Sequence, residues 1–520
     1  MARIAIINPR FEVSFWGMEY VMPISGKKAN LPVAVLPLLA AVTPVEHFVQ
    51  LIDENVEDLD YDLLDTMDII GITGMSVQRF RMREIMTELK RRGKFVVVGG
   101  AWTTVREDYF GDLADVLFVG EADDTWPLFL REWQEGIHQR RYEQIGQTEM
   151  EKLPTPRFDL MKMDRYLFGS IQLSRGCPFL CEFCDIIVTF GRRPRIKTAA
   201  QVIAELDALR TQKVATAFIV DDNFIGNKKV VKGLLREIIK YQEENGYPFR
   251  LFTETSLDLA EDDELLALMA EANINSVFIG IESPSEDALK ETHKNQNVKP
   301  KAGSMLNRVH KIQRAGIEVW CGMIVGFDSD DESIFDMQLD FLHRSHIPHI
   351  MFGMLYAIPK TPLHARLERE GRLDKADVPE YGTNLIPLRM SRQALQDGYM
   401  RVMKELYEPE HYFSRLETLY IGRQLGREKL GRVKYWQRHP SQRIKLQSLN
   451  TIGAALFFKS LMKNVEKPEL RNEYRSRIWR VVKATKDPSV IFTYIGKCAM
   501  HYHYDRLIRD LEQGGAINTL

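Results

Sequence analysis

The chain has 520 residues, of which 45% are hydrophobic and 27% charged, with a formal net charge of −2 and five cysteines. This composition is ordinary for a soluble globular protein of two to four domains, and the near-neutral charge indicates no particular partner. The cysteines are too few for a disulfide framework, and the N-terminus lacks the apolar core of a signal peptide. The longest uncharged stretch near it is too short and too proline-rich to cross a bilayer. We therefore expect a cytoplasmic protein.

Residues 1–145 alternate short apolar runs with segments of helical periodicity. The runs are ARIAIINP, FVQLIDEN, DIIGITGMS, KFVVVGG and ADVLFVGE, all rich in Val, Ile and Leu. This alternation predicts βαβ units and an N-terminal doubly wound, Rossmann-like α/β domain. Glycines and small polar residues follow several runs, so ligand-binding loops are expected at the C-terminal ends of the strands.

Residues 146–375 begin with a proline-containing connection, KLPTPRFDLM, and then repeat a strand-then-helix rhythm six times. Strands are predicted in SIQLSRG, ATAFIVDD, FRLFTETS, SVFIGIES, EVWCGMIVGF and HIMFGMLYAIP. Six repeats predict a partial (β/α)6 barrel rather than a closed eightfold one. Polar residues end several of these strands, where they either face the mouth of an active site or act as helix caps and turn residues.

Three cysteines, Cys177, Cys181 and Cys184, form a C-x3-C-x2-C motif directly after the first predicted barrel strand. Thiolates at this spacing can surround one small metal centre. A structural zinc site normally takes four protein ligands, and no fourth Cys or His stands at a fitting offset. A three-ligand cubane would leave one iron open for a substrate, whereas a zinc site or a chance cluster is the alternative.

A basic run follows the cysteines directly. It comprises Arg192, Arg193, Arg195 and Lys197. These side chains bind an anionic substrate group, stabilise the loop that covers the site, or form a solvated charged surface.

Residues 376–520 are predicted to be mainly helical and basic. From residue 411 onward there are 21 lysines and arginines against 9 acidic residues, whereas residues 1–410 have 49 against 63. The segments ALFFKSLMKNV and RNEYRSRIWRVVKAT are candidate amphipathic helices. This basic region fits an anionic membrane face, with nucleic acid or simple docking on the barrel as alternatives.

The cysteine motif resembles that of the radical S-adenosylmethionine (SAM) superfamily, in which it follows the first strand of a (β/α)6 barrel. The resemblance implies that the three cysteines hold a [4Fe–4S] cluster whose open iron binds SAM. It also implies reductive cleavage of SAM to a 5′-deoxyadenosyl radical. The residues expected to contact SAM are an aromatic residue within the motif, strand-end polar groups and the ends of a G-x-I-x-G stretch: Phe183, Asp221, Asp222, Asn223, Thr253, Glu254, Ser256, Glu282, Gly322 and Gly326.

A doubly wound domain ahead of such a barrel resembles the cobalamin-binding radical SAM proteins. Residues of the strand-end loops are expected to surround cobalamin: Arg10, Ser76, Val77, Gly99, Gly100, Thr103, Thr104, Gly120 and Glu121. The first loop, NPRFEVSFWGMEYVMP, lacks the histidine that ligates cobalt in mutase-type domains, which implies cobalamin without a protein imidazole below cobalt. Aromatic residues of this loop, such as Phe15 and Trp16, either pack on the lower face of cobalamin or form an ordinary core cluster.

Longer stretches, among them NPRFEVSFWG, CDIIVTFGRRPRIKT and FIVDDNFIGNKK, resemble the radical SAM subfamily with an extra, uncharacterised C-terminal domain. The hopanoid C-2 methylase is a relative of that subfamily. The resemblance implies a methyltransferase that uses the 5′-deoxyadenosyl radical and methylcobalamin to methylate an unactivated carbon of a lipid or isoprenoid, hopanoid-like substrate.

Other functions remain open at this stage. A radical SAM enzyme of the same kind can cyclise or oxidise its substrate without methylating it, and a cobalamin-binding regulator is the non-enzymatic alternative. The enzymatic functions imply a one-electron reductant of the flavodoxin or ferredoxin type. They also imply a small-molecule or lipid substrate, with peripheral attachment to the inner face of the membrane and no nucleic acid partner.

Overall fold

The computed structural model describes residues 1–298 and 303–514. Its N-terminal part is a six-stranded sheet in the order β2-β1-β3-β4-β5-β6, with every strand pair parallel. The strands are β1 (Arg3–Asn8), β2 (Phe48–Asp53), β3 (Ile69–Thr73), β4 (Val96–Gly99), β5 (Val116–Val119) and β6 (Arg141–Glu143). Successive strand residues point to opposite faces, so Ile4 and Ile6 pack into one apolar cluster and Ala5 and Ile7 into another.

The doubly wound domain predicted from the five apolar runs is therefore confirmed. The apolar runs do not predict β6, because its three residues, RYE, include a single large apolar side chain, Tyr142.

The central part is a second six-stranded parallel sheet, in the order β14-β13-β12-β11-β10-β7. Its strands are β7 (Gly169–Ile171), β10 (Thr216–Ile219), β11 (Arg250–Thr255), β12 (Ile274–Glu282), β13 (Glu318–Val325) and β14 (Ile350–Met354). The strands β8 (Ser174–Arg175) and β9 (Arg195–Ile196) form a separate antiparallel pair. All six predicted barrel strands are present, and β7 and β14 are the edges of the sheet, so the partial (β/α)6 barrel is confirmed.

The α-helices follow the three parts of the chain. The N-terminal part contains α1 (Met22–Ser25), α2 (Val35–Val42), α3 (Tyr61–Asp65), α4 (Arg79–Arg91), α5 (Ala101–Val105) and α6 (Thr125–Glu135). The barrel part contains α7 (Ile186–Thr189), α8 (Ala199–Thr211), α9 (Lys228–Glu244), α10 (Asp263–Glu271), α11 (Glu286–Glu291), α12 (Asn295–Val298), α13 (Met305–Arg314), α14 (Ile334–Ser345) and α15 (Pro362–Arg369). The C-terminal part contains α16 (Arg392–Leu406), α17 (Pro409–Tyr420), α18 (Gly431–Arg438), α19 (Pro440–Asn464), α20 (Pro468–Ala484) and α21 (Pro488–Glu512).

Helix α21 closes the end of the barrel at which its strands begin, which we call the floor. The Lys497 ammonium on α21 forms an ion pair with Glu318, the first residue of β13. On α17, Tyr412 Oη donates a hydrogen bond to the Lys497 carbonyl oxygen (3.0 Å). Helix α21 is buried on most of its surface, including Tyr494 and Tyr504. A helix that is buried nearly all round belongs to a core, so the C-terminal helices and the barrel share one interior.

The loop that follows β1 joins the three parts of the chain. The Phe15 ring stacks on Tyr504 of α21 with ring centroids 4.8 Å apart, and Trp16 packs edge-on against Phe278 of β12 at 4.9 Å. At the opposite end of the barrel, Lys360 Nζ donates to the Thr104 carbonyl oxygen (2.6 Å) in the N-terminal part. The loops at the C-terminal edge of the first sheet therefore face the C-terminal ends of the barrel strands, which we call the mouth.

Candidate active site

The three cysteines lie in the loop that runs from β8 to β9. Cys181 is buried, Cys177 and Cys184 are partly buried, and none of them forms a disulfide. Their three sulfur atoms do not all lie within 4.8 Å of one another. Thiolates around one zinc ion, at Zn–S distances of about 2.3 Å, would lie about 4 Å apart. The arrangement is therefore too wide for a single zinc ion and suits a larger iron–sulfur cluster.

Gly176 determines how this loop begins. Its φ is +95°, and a Cβ at this position would lie 2.8 Å from the Arg193 carbonyl oxygen. The Gly176 N–H donates to the Asp222 carboxylate (2.6 Å). Only glycine adopts this conformation without strain, so it permits the returning segment to pass close to the first cysteine.

Two amide side chains donate hydrogen bonds to the cysteine sulfurs. Asn223 Nδ2 lies 3.9 Å from Cys177 Sγ, and Gln296 Nε2 lies 3.8 Å from Cys181 Sγ. Hydrogen bonds to sulfur ligands are one of the factors that set the reduction potential of an iron–sulfur cluster. Asn223 was expected near SAM and instead lies beside a cluster ligand. Gln296 follows no strand, so the sequence contains no positional signal for it.

A buried ammonium group, that of Lys294, completes the surroundings of the cysteines. It forms an ion pair of 2.7 Å with Glu282. Burial lowers the pKa of Lys294, but Glu282 and the nearby Cys181 and Cys184 thiols outweigh burial and raise it. Glu282, expected to contact SAM, is thus held by a cation that sequence reasoning missed. Lys294 lies beyond a helix rather than at a strand end, which is why strand-end reasoning does not find it.

Three carboxyl groups lie at the mouth of the barrel. Burial raises the pKa of Asp221 to about 7, of Asp222 to about 6 and of Glu254 to about 8. Both Asp221 oxygens are occupied, by the N–H groups of Leu173 and Ser174 and by the Ser174 hydroxyl, at 2.7 to 2.9 Å. Asp221 therefore holds the segment that follows β7 to the end of β10 and does not line the cavity, and its contact with SAM stays a prediction.

Glu254 and Asp222 differ from Asp221 because both line a cavity. The Glu254 carboxyl group has no hydrogen-bond or ion-pair partner among the described residues, and Asp222 accepts a single hydrogen bond, from Gly176. Carboxylates that face a cavity attract cationic groups and accept hydrogen bonds from hydroxyls. These two side chains can hold a ligand that carries an ammonium group or ribose hydroxyls.

The remaining residues expected to contact SAM do not line this cavity: Phe183, Asn223, Thr253, Ser256, Glu282, Gly322 and Gly326. Thr253 neighbours the inward-facing Glu254 on β11 and therefore points outward, where its hydroxyl donates to the Ile219 carbonyl oxygen (3.0 Å). The Ser256 hydroxyl accepts a hydrogen bond from Asn223 (3.1 Å).

The cavity has a volume of about 1760 Å³ and connects all three parts of the chain. It is lined by the strand-end loops of the first sheet, the cluster loop, the inner face of the barrel and one face of α21. Its middle section is aromatic, with Phe218, Phe252, Phe278 and Trp320 pointing inward. A continuous space of this size accommodates more than one ligand, since pockets for single small ligands measure about 300–1,000 Å³.

Most residues expected around cobalamin lie on this cavity: Arg10, Ser76, Val77, Gly99, Gly100, Thr104, Gly120 and Glu121. Gly120 has a φ of +77°, and a Cβ there would meet no atom within 4 Å, so the backbone faces open space. Gly100 has a φ of +95°, and a Cβ there would lie 2.6 Å from Thr73 Oγ1. These loops therefore offer a backbone cradle that fits a large, flat ligand.

Thr103 does not line the cavity, contrary to its expected place. It is fully buried, and its hydroxyl donates to the Gly99 carbonyl oxygen within the same turn (3.2 Å). The Thr104 hydroxyl donates a hydrogen bond to the Gly100 carbonyl oxygen (2.9 Å) and accepts one from the Gly120 N–H (3.0 Å). The bond from Gly120 connects the two loops.

Glu121 connects the first sheet to the cluster loop through two arginines. Its carboxylate accepts from Arg175 Nη1 (2.8 Å) and Arg195 Nη1 (2.9 Å), and Arg175 also pairs with Asp123. The position of Arg175, two residues before the first cysteine, means that this ion-pair network fixes the cluster loop against the N-terminal domain.

The basic run after the cysteines divides into two parts. Arg195 is held by Glu121, and the buried Lys197 pairs with Glu205, so both stabilise the loop. Arg192 and Arg193 are exposed. Loop stabilisation therefore fits Arg195 and Lys197, a solvated surface fits Arg192 and Arg193, and binding of a substrate anion stays a prediction.

The aromatic residues of the β1 loop contribute to the contacts between domains. Phe15 packs against α21 and Trp16 against the barrel, and both also line the cavity. Among the described residues that line the cavity, His349 is the only histidine, and it lies at the floor rather than near the first sheet. The absence of a protein imidazole below cobalt stays a prediction.

Comparison with known proteins decides the family. Residues 171–342 match the radical SAM superfamily, and residues 361–515 match a domain of unknown function, DUF4070. An uncharacterized methyltransferase of Synechocystis sp. is 36% identical over 510 residues, which cover 96% of this chain and 91% of the relative. The chain belongs to the radical SAM methyltransferases that carry a C-terminal DUF4070 domain.

A second relative and a solved structure agree with this assignment. The hopanoid C-2 methylase of Rhodopseudomonas palustris is 31% identical over 484 residues, covering 92% of this chain and 88% of the relative. The structure of the radical SAM methyltransferase TsrM from Kitasatospora setae, with cobalamin and a [4Fe–4S] cluster bound, matches with a TM-score of 0.62. It is 17% identical and covers 85% of this chain and 100% of that chain, a likeness of fold.

These findings confirm the cobalamin-binding radical SAM family, the enzymatic class and the α/β architecture predicted from the sequence. A regulator without enzymatic activity does not fit this family. The domain limits at residues 145 and 375 and the individual ligand contacts stay predictions. No described helix is long and apolar enough to cross a membrane.

Proposed function

We propose that this methyltransferase adds a methyl group to an unactivated carbon of an apolar, isoprenoid-type lipid. The single observation that carries the proposal is the continuous cavity, which runs from the strand-end loops of the first sheet, past the cysteine loop, into an aromatic barrel. A methyl donor, a radical source and an apolar substrate can meet there without leaving the protein. The hopanoid C-2 methylase among the relatives supports the choice of lipid.

Three groups of residues would hold the cofactors. Cys177, Cys181 and Cys184 suit the [4Fe–4S] cluster, Asp222 and Glu254 suit SAM, and the glycine-rich loops of the first sheet suit cobalamin. When bound, the cluster and SAM supply one-electron cleavage of a C–S bond, and cobalamin supplies a transferable methyl group. Asn223 and Gln296 donate hydrogen bonds to the cysteine sulfurs and so help to set the reduction potential of the cluster.

The barrel interior orients the substrate and excludes water. Phe218 and Phe252 stack with ring centroids 4.8 Å apart, and Trp320 lies 5.8 Å from Phe252. Aromatic surfaces of this kind bury an apolar ligand and leave few polar contacts to compete with it. A dry interior also protects a reactive carbon centre from side reactions.

The test is anaerobic turnover of the reconstituted enzyme with a one-electron reductant and SAM labelled in its methyl group. The substrate source is a lipid extract from a strain that lacks this protein. We expect 5′-deoxyadenosine and a lipid heavier by one labelled CH2 unit, and neither with the triple variant Cys177→Ala/Cys181→Ala/Cys184→Ala. Formation of neither product by the wild type would overturn the proposal. 5′-Deoxyadenosine with an unmethylated product would favour cyclisation or oxidation instead.

A surface of α19 supports attachment to an anionic membrane. Three apolar side chains on one face of this helix are each more than half exposed. Basic side chains that have no acidic partner among the described residues stand at both ends of the same face. The apolar residues are Leu449, Ile452 and Leu456, and the basic residues are Lys445, Lys459 and Lys463. Exposed apolar groups flanked by lysines suit the interface of a bilayer with anionic headgroups.

Flotation with lipid vesicles tests this attachment. We expect the protein to float with vesicles that contain phosphatidylglycerol and to remain unbound with pure phosphatidylcholine. The variant Leu449→Ser/Ile452→Ser/Leu456→Ser should lose binding, whereas Val378→Ser, a change at another exposed apolar residue, should retain it. Equal flotation of the two variants would exclude α19 as the membrane surface.

A one-electron donor of the flavodoxin or ferredoxin type would approach the exposed side of the cluster loop. Leu180 is 46% exposed there, and Arg192 and Arg193 add positive charge without an acidic partner among the described residues. Acidic electron carriers are attracted to such a patch. We expect Arg192→Glu/Arg193→Glu to slow turnover with flavodoxin at least fivefold and to leave turnover with dithionite unchanged. We further propose that the enzyme works in the cytoplasm at the inner membrane face, where such donors are available, and we expect no nucleic acid partner.

A further inference from the structure

The floor of the barrel has a polar lining that differs from the aromatic middle. Thr216 and Arg250 are the first residues of β10 and β11 and pair in register, and Glu318 is the first residue of β13. All three line the cavity, together with Ser276 of β12. Polar groups at the buried end of a cavity are those that fix the orientation of a ligand.

The Glu318 carboxylate is saturated by neighbours other than Arg250. Its Oε1 accepts from Lys497 Nζ and from Trp320 Nε1 (2.5 Å), and its Oε2 accepts from Tyr420 Oη (2.6 Å). The Lys497 ammonium also contacts His349 Nε2 (2.8 Å). The acid closest to the floor is therefore committed to α21 and α17.

Arg250 is left with no hydrogen bond or ion pair from its side chain among the described residues. Burial lowers the pKa of Arg250 and the nearby Arg427 guanidinium lowers it further, and together they outweigh the opposing effects of Tyr420 and Asp487. Arg432 is a third guanidinium within electrostatic range. A partly buried guanidinium without a partner is costly, and its planar donors match a carboxylate or a phosphate.

We propose that Arg250 binds an anionic group, a carboxylate or a phosphate, at the end of the substrate remote from the reacting carbon. Arg250 and Glu254 are four positions apart on β11, or about 13 Å at 3.3 Å per strand residue. Phe218, Phe252 and Trp320 line the space between these two levels. The substrate is thus an amphiphile whose apolar body spans the aromatic section. This inference rests on the proposed function, because it assumes that the reacting carbon lies near the mouth.

Binding of three probes that share one fifteen-carbon isoprenoid body tests the subsite. Farnesyl phosphate and farnesoate carry an anion, whereas farnesol does not. Calorimetric titration of the reconstituted holoenzyme with each probe should give at least tenfold tighter binding for one or both anionic probes than for farnesol. In Arg250→Gln the preference should fall below twofold while the affinity for farnesol changes little. Arg250→Lys should recover part of the preference for phosphate, because it restores the charge but not the planar donors.

A matched control uses Arg131→Gln, which removes an exposed arginine of α6, away from the cavity, and should leave all three affinities unchanged. Circular dichroism and thermal melting check that Arg250→Gln folds. Equal binding of the three probes to the wild type, or an unchanged preference in Arg250→Gln, would overturn the subsite.

The binding measurement separates the subsite from the methyltransferase proposal. A preserved anion preference without any methylated lipid would remove the proposed function and leave Arg250 as an anion site. Methylated lipid without an anion preference would remove the subsite alone.

Discussion

The two ends of the barrel carry ionisable groups of opposite kind. At the mouth, Asp221, Asp222 and Glu254 are buried and burial raises the pKa of each. At the floor, Arg250 and Lys497 are the prominent groups, and the Glu318 carboxylate is fully engaged by its neighbours. A cationic ligand such as SAM is therefore favoured at the mouth and an anionic group at the floor. The barrel interior is therefore asymmetric, with acidic groups at the mouth and basic groups at the floor.

The two ends also differ in how they are built. The mouth is formed by residues that directly follow barrel strands, in the region that matches the radical SAM superfamily. The floor is closed by α17 and α21, which belong to the DUF4070 region. The superfamily region thus forms the mouth, whereas the C-terminal domain closes the floor, at which we propose that the anionic end of the substrate binds. This division gives a physical role to a domain of unknown function.

The largest effect is expected from Cys184→Ala, which removes a cluster ligand at the mouth. Because two thiolates cannot hold the cluster in place, we expect iron content to fall and formation of 5′-deoxyadenosine to drop at least a thousandfold. The matched control is Cys498→Ala in α21, a buried cysteine at the other end of the barrel. It should retain iron and activity, at a stability cost of about 1–2 kcal/mol. Loss of iron in both variants would contradict the assignment.

The next largest effect is expected at the floor, from Lys497→Met. This change leaves the Glu318 carboxylate buried without its cation, and removing one partner of a buried pair typically costs about 3–5 kcal/mol. Urea unfolding followed by tryptophan fluorescence measures it. The double variant Lys497→Met/Glu318→Gln should recover part of the loss, because no buried charge remains unpaired.

The control for that measurement is Lys486→Met, which changes an exposed lysine just before α21. It should shift the unfolding midpoint little. A Lys497→Met variant as stable as this control would mean that the floor is not held by the ion pair.

The mouth could be predicted from the sequence to a large extent. Cys177, Cys181 and Cys184 lie at fixed spacing after a strand, and strand-end positions such as Asp222 and Glu254 face the cavity as expected. Successive residues of a strand point to opposite faces, which explains why Thr253, next to Glu254, does not face the cavity. Strand-end reasoning cannot tell a ligand-facing carboxylate from a structural one, so it does not predict the hydrogen bonds of Asp221 to Leu173 and Ser174.

The floor could not be predicted in the same way. Its contacts join residues far apart in the chain: 179 positions separate Lys497 from Glu318, and 102 separate Tyr420 from Glu318. No local pattern marks such pairs, because the C-terminal helices read only as amphipathic or basic segments. Lys294 and Gln296 near the cysteines were missed for a related reason, since their positions depend on a loop rather than on a strand. The fold and the cysteine motif can be predicted from local sequence patterns, whereas the floor of the cavity depends on tertiary contacts between distant residues.

The smallest effect concerns pH and returns to the mouth. The pKa of Glu254 is raised from its ordinary 4.5 to about 8, so between these values the folded state binds more protons than the unfolded state. Stability should therefore fall as pH rises from about 4.5 to 8. Glu254→Gln removes this dependence, and relative to pH 5 we expect it to gain on the order of 2 kcal/mol over the wild type at pH 8.5. Thermal melting of the SAM-free protein across this range measures the difference, with the exposed Glu380→Gln as control. Adding SAM should reduce the slope of the wild type, because a cationic ligand favours the carboxylate form. Parallel curves for Glu254→Gln and the wild type would show that the mouth does not hold a carboxyl group with a raised pKa, and the charge difference between the two ends would then rest on the floor alone.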